Sequence, residues 1–342
     1  MPQTNSGLLR RAVRFLVVLA ALAGSGWYIV RLPENAPPPR DGWTVLRPPD
    51  DDNALVYFDD KIIAGGRDGI FVIDPATALP IQSPIPTPAM TYVKALLVDR
   101  AGQLWVGHRS GLARFDGNEW QTLHLSPSMP PGPVTALLQT GDGQILVGGE
   151  AGLAALQGSE LVPVPVPPER ANNDISALFE DVDERLWVGI GKAARGGLLV
   201  RTNGAWREIG LANGMPHTAV TQIGQSADGH LIVAAGFAGR GGVCQLTRAD
   251  DLNSWTCLGS TDGLVSDMVR LAQADSHGQM WYGSEFHGAA VFSDDQMTAL
   301  GITDGLAGLE LKAFLEDPDG TLWLGCDKGL TRIDATEAVI TQ

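Results

Sequence analysis

From residue 43 onward, apolar and polar residues alternate in short bursts, and each burst ends in a turn rich in Asp and Gly. Residues 93–98, 134–138 and 311–315 alternate with a period of two, which is the pattern of a half-buried strand. Turns follow at residues 99–102, 142–143, 228–229 and 317–320. Next comes an apolar motif closed by glycine, best formed in Leu104-Trp105-Val106-Gly107. A short loop leads to a Gly-Leu pair such as Gly111-Leu112, and a last stretch carries an aromatic residue, as at Trp120, Trp206 and Trp255. Short strands joined by Gly-bearing turns predict four antiparallel strands per unit.

The unit recurs seven times. Further copies are Ile145-Leu146-Val147-Gly148, Leu186-Trp187-Val188-Gly189 and Leu322-Trp323-Leu324-Gly325. Weaker ones are Ile62-Ile63-Ala64-Gly65, Leu231-Ile232-Val233-Ala234 and Met280-Trp281-Tyr282-Gly283. Their second residues are spaced by 42, 41, 41, 45, 49 and 42 positions. A four-stranded repeat of that length is a propeller blade. The expectation is an all-β, seven-bladed β-propeller of four-stranded antiparallel blades over residues 43–342. Eight of the nine tryptophans occupy two repeat positions. Trp105, Trp187, Trp281 and Trp323 fall in the second strand, and Trp43, Trp120, Trp206 and Trp255 in the fourth. That placement predicts packing between blades rather than an aromatic cage. Gly42-Trp43-Thr44-Val45-Leu46 reads as a fourth strand with no blade before it, so it would complete the last blade after Ile333, with residues 338–342 as the competing candidate.

The N-terminus is different in kind. Arg10, Arg11 and Arg14 precede an uncharged run over residues 15–30, and Arg31 closes it. Residues 1–14 are expected to be a cytoplasmic stretch and residues 15–32 a transmembrane helix, with cleavage after Ala21-Leu22-Ala23 as the alternative. Residues 33–42, with Pro37-Pro38-Pro39, form a stiff linker. The propeller is therefore expected in the periplasm, tethered to the inner membrane, or free there after cleavage.

The pattern Asp-x-x-Gly-x-Leu-Trp-Val-Gly followed by Gly-Leu-x-Arg-x-Asp resembles the two-component regulator propeller repeat. Thr261-Asp262-Gly263-Leu264 and Thr303-Asp304-Gly305-Leu306 resemble that family's inter-blade loop. The resemblance implies an extracytoplasmic sensor module that feeds a membrane histidine kinase. Here the repeats make one ring, so signalling output would come from a separate protein. The family carries no catalytic residues to transfer.

Charge narrows the function classes. With 24 Lys+Arg against 39 Asp+Glu, the net charge is −15, which disfavours a phosphate backbone and excludes general nucleic-acid binding. Against that background, Arg67, Arg109, Lys192, Arg195, Arg240 and Lys328 lie in loops between second and third strands, and Lys94, Arg270 and Lys312 lie where innermost strands begin. These nine form a candidate basic loop face for an anionic small molecule or oligosaccharide. His108, His217 and His287, with Glu285 or Glu310, are the candidates for a lyase-type alternative. An envelope assembly scaffold is the third reading. No spacing indicates a metal, and no motif calls for a cofactor. Pairing Thr247 with Ser254 in the last hairpin of blade five would set Cys244 opposite Cys257, predicting a disulfide in an oxidising compartment.

Overall fold

A computed structural model of the chain describes residues 40–81, 90–123, 132–167, 174–192 and 195–340. The chain divides into two units, Met1–Asn35 and Ala36–Gln342. The first, with the expected membrane segment, lies outside the described residues. Among the described residues no helix is long and apolar enough to cross a membrane.

The second unit is an all-β propeller of seven four-stranded antiparallel sheets. Six blades are built from consecutive strands. The seventh takes its outermost strand from the other end of the sequence, where Trp43–Leu46 pairs antiparallel with Gly329–Ile333 in the register Trp43 to Ile333. The C-terminal segment does not fill that place. Ala338 and Ile340 are buried instead against blade six, where Gln279 donates to the Ala338 carbonyl at 2.8 Å and accepts from the Ile340 amide at 2.8 Å.

The repeat motif is explained by what each residue meets. The apolar core is split into seven clusters, one at each seam between blades. Second-strand tryptophans face the following blade: Trp187 packs with Val220, Leu231 and Val233. Fourth-strand tryptophans face the preceding one, and Trp255 meets Trp187 edge-on at 6.3 Å. The motif glycine is needed for close approach. A Cβ on Gly65, Gly107, Gly148 or Gly189 would come within 2.5–2.6 Å of a branched side chain at the start of the next blade, namely Val93, Val134, Ile175 or Val220. These residues act as wedges that set the angle between blades.

In four blades the Asp that opens the turn has a second task that the turn reading alone misses. Asp181 accepts the Asp183 and Arg185 amides at 3.0 and 2.9 Å through one oxygen, and Trp187 Nε1 at 2.7 Å through the other. Asp99, Asp275 and Asp317 hold Trp105, Trp281 and Trp323 in the same way, at 2.8, 2.9 and 2.9 Å. In blades three and five the motif has Leu146 and Ile232, which have no indole to satisfy, and Thr140 and Ser226 stand in the aspartate's place. A buried donor dictates its acceptor six residues upstream.

Candidate functional site

The axis of the ring carries a solvent-open cavity of about 370 Å³, lined by residues from all seven blades. Its wall is created by a repeated irregularity. In blades three to seven the register between the first two strands slips by one residue after the wedge, leaving Thr135, Ser176, Thr221, Arg270 and Lys312 unpaired opposite the second strand. A bulge turns its extra residue out of the sheet alternation. Asn53 and Lys94 hold the same place in blades one and two, their amides donating to Gly65 and Gly107 carbonyls at 2.8 and 2.9 Å. Six of these seven follow an apolar wedge. Asn53 follows Asp52.

The wall divides into two arcs, with Lys94 of blade two between them. Through blades three to five the wall is hydroxylic: Thr135 donates to the Ile175 carbonyl, Ser176 to Val220 at 2.6 Å and Thr221 to Val269 at 2.7 Å. Each hydroxyl proton is thus committed to the next blade, while its lone pairs stay open to the cavity. Through blades six, seven and one the wall is an alternating ion-pair chain. Arg270 pairs with Glu285 at 2.7 Å and Glu310 at 3.4 Å, Lys312 pairs with Glu310 at 3.3 Å and with Asp51, and Asp51 reaches Arg67 at 3.4 Å.

The nine predicted cations therefore part company. Lys94, Arg270 and Lys312 line the axial cavity. Arg67, Arg109, Lys192, Arg195 and Lys328 are exposed in the surrounding loops, Arg240 is exposed at the start of the third strand of blade five, and Lys94, though it lines the cavity, is exposed as well. Arg109 lies over the Tyr92 ring at 5.3 Å. Lys94 is distinct among the cavity cations: its ammonium donates to the Asn53 side-chain oxygen at 3.0 Å and has no carboxylate within ion-pair distance among the described residues. Burial, and then the charge of Lys312, lowers its pKa. Opposite in sign is Asp174, whose pKa is raised by burial and by Glu150 against the pull of Lys192. Sequence reasoning missed Asp51, Asn53, Asp174 and the three hydroxyls. The signal for the bulge residues was present, since each stands at one repeat position directly after the wedge.

Of the loop-face histidines, His108 is buried and accepts the Ser110 amide on Nδ1 at 3.3 Å, and His217 accepts the Ala219 amide on Nδ1 at 2.9 Å. Burial lowers both pKa values, with Arg240 adding to the effect at His217. The Ser284 hydroxyl accepts the His287 amide at 2.8 Å. Glu285 and Glu310 are engaged with Arg270 rather than with an imidazole. Among the described residues no group of three or more His, Cys, Asp or Glu side chains is gathered for a metal ion. Cys244 and Cys257 are directly paired across the last two strands of blade five and form a disulfide with a Cα–Cα distance of 4.0 Å.

The chain matches no family model and no curated protein sequence. Solved structures do resemble it. The extracellular domain of a putative hybrid two-component system from B. thetaiotaomicron superposes with a TM-score of 0.73 at 17% identity, over 86% of this chain and 41% of that one. A second such domain from the same organism gives 0.52 at 17%, over 84% and 45%. A catalytically inactive virginiamycin B lyase from Staphylococcus aureus gives 0.66 at 14%, over 85% and 98%. The likeness is one of fold. This chain spans less than half the length of the two sensor-type neighbours and nearly all of the lyase's.

Proposed function

We propose that the chain is an extracytoplasmic, ligand-binding propeller of the sensor type, tethered by residues 15–32 and acting with a separate signalling protein in the membrane. The observation that carries this reading is the wall of the axial cavity. At the bulge position the seven blades carry Asn, Lys, Thr, Ser, Thr, Arg and Lys, whereas the next residue is Ala in five of them, at 54, 95, 136, 177 and 313. Ring packing repeats its demands, so a position that departs from the repeat and faces an open polar cavity is free to serve a ligand. The Cys244–Cys257 disulfide favours an oxidising compartment. The sensor-type neighbours agree with that placement.

The ligand class rests on Lys94, which faces the cavity without a carboxylate partner, and on the exposed loop cations around it: an anionic small molecule or oligosaccharide received at the loop face. Calorimetry with a panel of anionic glycans and small carboxylates tests it. Binding that weakens in Lys94→Gln, or in the triple variant Arg109→Ser, Arg240→Ser and Lys328→Ser, supports the reading. Binding unchanged in both variants overturns it. Alkaline phosphatase fused after residue 342 should be active and sediment with membranes.

A lyase-type activity is the second reading, prompted by the virginiamycin B lyase neighbour. It requires an imidazole poised as acid or base. Lyase turnover abolished by His217→Ala or His287→Ala would establish it.

A further inference from the structure

Two charges of opposite sign on the cavity wall lack a matched partner, and they stand on different blades. Lys94 of blade two meets only a neutral amide oxygen at 3.0 Å. Asp174 of blade four has no side-chain hydrogen bond or ion pair among the described residues, although it lines the same cavity. Thr135, on the blade between them, has its proton committed to Ile175. The other cavity cations are already neutralised, because Arg270 and Lys312 share Glu285, Glu310 and Asp51. A polyanion would have to displace those carboxylates. A ligand with one negative and one positive end would not.

We propose that the axial cavity receives a small zwitterion, a short uncapped peptide, with its carboxylate on Lys94 and Asn53 and its ammonium on Asp174. This deepens the ligand-binding reading and rests on it. The poles stand on blades two and four with blade three between them, an arrangement that matches charges at the two ends of a ligand, as in a di- or tripeptide, rather than the adjacent charges of a single α-amino acid. Between the poles, Thr135 and Ser176 present lone pairs rather than protons, which suits the N–H groups of a peptide. A cavity of about 370 Å³ has room for roughly a dozen waters' worth of ligand. Charge-assisted hydrogen bonds at each end fix the orientation.

The test is calorimetry on the full chain with di- and tripeptides, each compared with its N-acetylated and C-amidated forms, alongside galacturonate and succinate as carboxylates without an ammonium. Free peptides should bind, and each cap should weaken binding roughly 10- to 100-fold, as loss of a hydrogen bond to a charged group does. Lys94→Gln should erase the difference between free and amidated peptides, and Asp174→Asn the difference between free and acetylated ones. Capped peptides binding as well as free ones overturn the proposal. So does galacturonate or succinate binding as tightly as any peptide with loss in Lys94→Gln, but that result leaves the anion-binding reading intact. If neither class binds, both readings fall.

Discussion

Replacing Asp52 with valine restores the residue type that six blades carry at the same position, Val93, Val134, Ile175, Val220, Val269 and Leu311. Asp52 is the wedge of blade one, placed 3.0 Å from where a Cβ on Gly325 would sit, at the seam closed by the N-terminal strand. Its side chain is fully buried, and neither carboxylate oxygen has a hydrogen-bond partner. Burial and then Asp50, with a smaller push from Asp51 and against the pull of Lys312, raise its pKa from 3.8 to about 8. Cys326, also fully buried, lies beside it, and its carbonyl accepts the Asp52 amide at 3.0 Å. Between those two pKa values the folded chain holds a proton that the unfolded chain has released. Stability is therefore fully present below about pH 4 and lost as pH climbs toward about 8, with no further change above that. At about 1.4 kcal/mol per pH unit, the cost reaches roughly 4 kcal/mol at pH 7 and roughly 6 above pH 8. For a ring of this size that is on the order of 10 °C in Tm. Differential scanning calorimetry at fixed scan rate from pH 4 to 9 should show the wild-type Tm falling relative to Asp52→Asn, with Asp52→Val the most stable above pH 7. Parallel pH profiles for wild type and Asp52→Asn, or a less stable Asp52→Val at pH 8, would refute the reasoning.

Other variants probe the rest of the ring. Asp181→Ala removes two amide contacts and orphans the Trp187 indole, so it should cost about 2–4 kcal/mol by urea denaturation, with Thr140→Ala in the tryptophan-free blade three costing less. Gly189→Val would set a Cβ 2.6 Å from Val220 and should lower Tm by several degrees, whereas a substitution at Gly143, which has nothing within 4 Å of an added Cβ, is limited to the strain of its positive φ of 92°. Reducing the Cys244–Cys257 bridge, which closes a short loop, should cost up to about 3 kcal/mol, and Cys244→Ser should reproduce that loss. Cys326, buried with its thiol pKa pushed up to about 12, should react with thiol reagents only on unfolding. Val45→Pro removes the strand amide opposite Thr331 and should destabilise the closing blade more than any single change in a surface loop.

The repeat was legible because inter-blade packing makes the same demand seven times, and each demand falls on a fixed residue type. The Leu-Trp-Val-Gly motif, the two tryptophan positions and the register that sets Cys244 opposite Cys257 all follow from local alternation and spacing, whereas the closing strand at Trp43 was one of two candidates until its pairing with Ile333 decided it. The Asp–Trp bond was also written there, as an aspartate six residues before each second-strand tryptophan, but only coordinates give the six-residue spacing its meaning as a hydrogen bond. The expected basic face was legible as a list of cations and no further.

Sequence alone thus determined the architecture: short-range alternation decides strands, and a period near 43 residues decides that they close into seven blades. Tertiary structure decided the site. Which cation is left without a carboxylate partner depends on contacts across seams, with Glu310 of blade seven reaching Arg270 of blade six and Asp51, near the other end of the chain, reaching Lys312. The inward turn of the lining residues depends on a one-residue bulge, which alternation does not reveal, and the burial of Asp52 depends on a seam between chain segments more than 270 residues apart. Electrostatic energy depends on distance through space, and only the folded ring sets those distances.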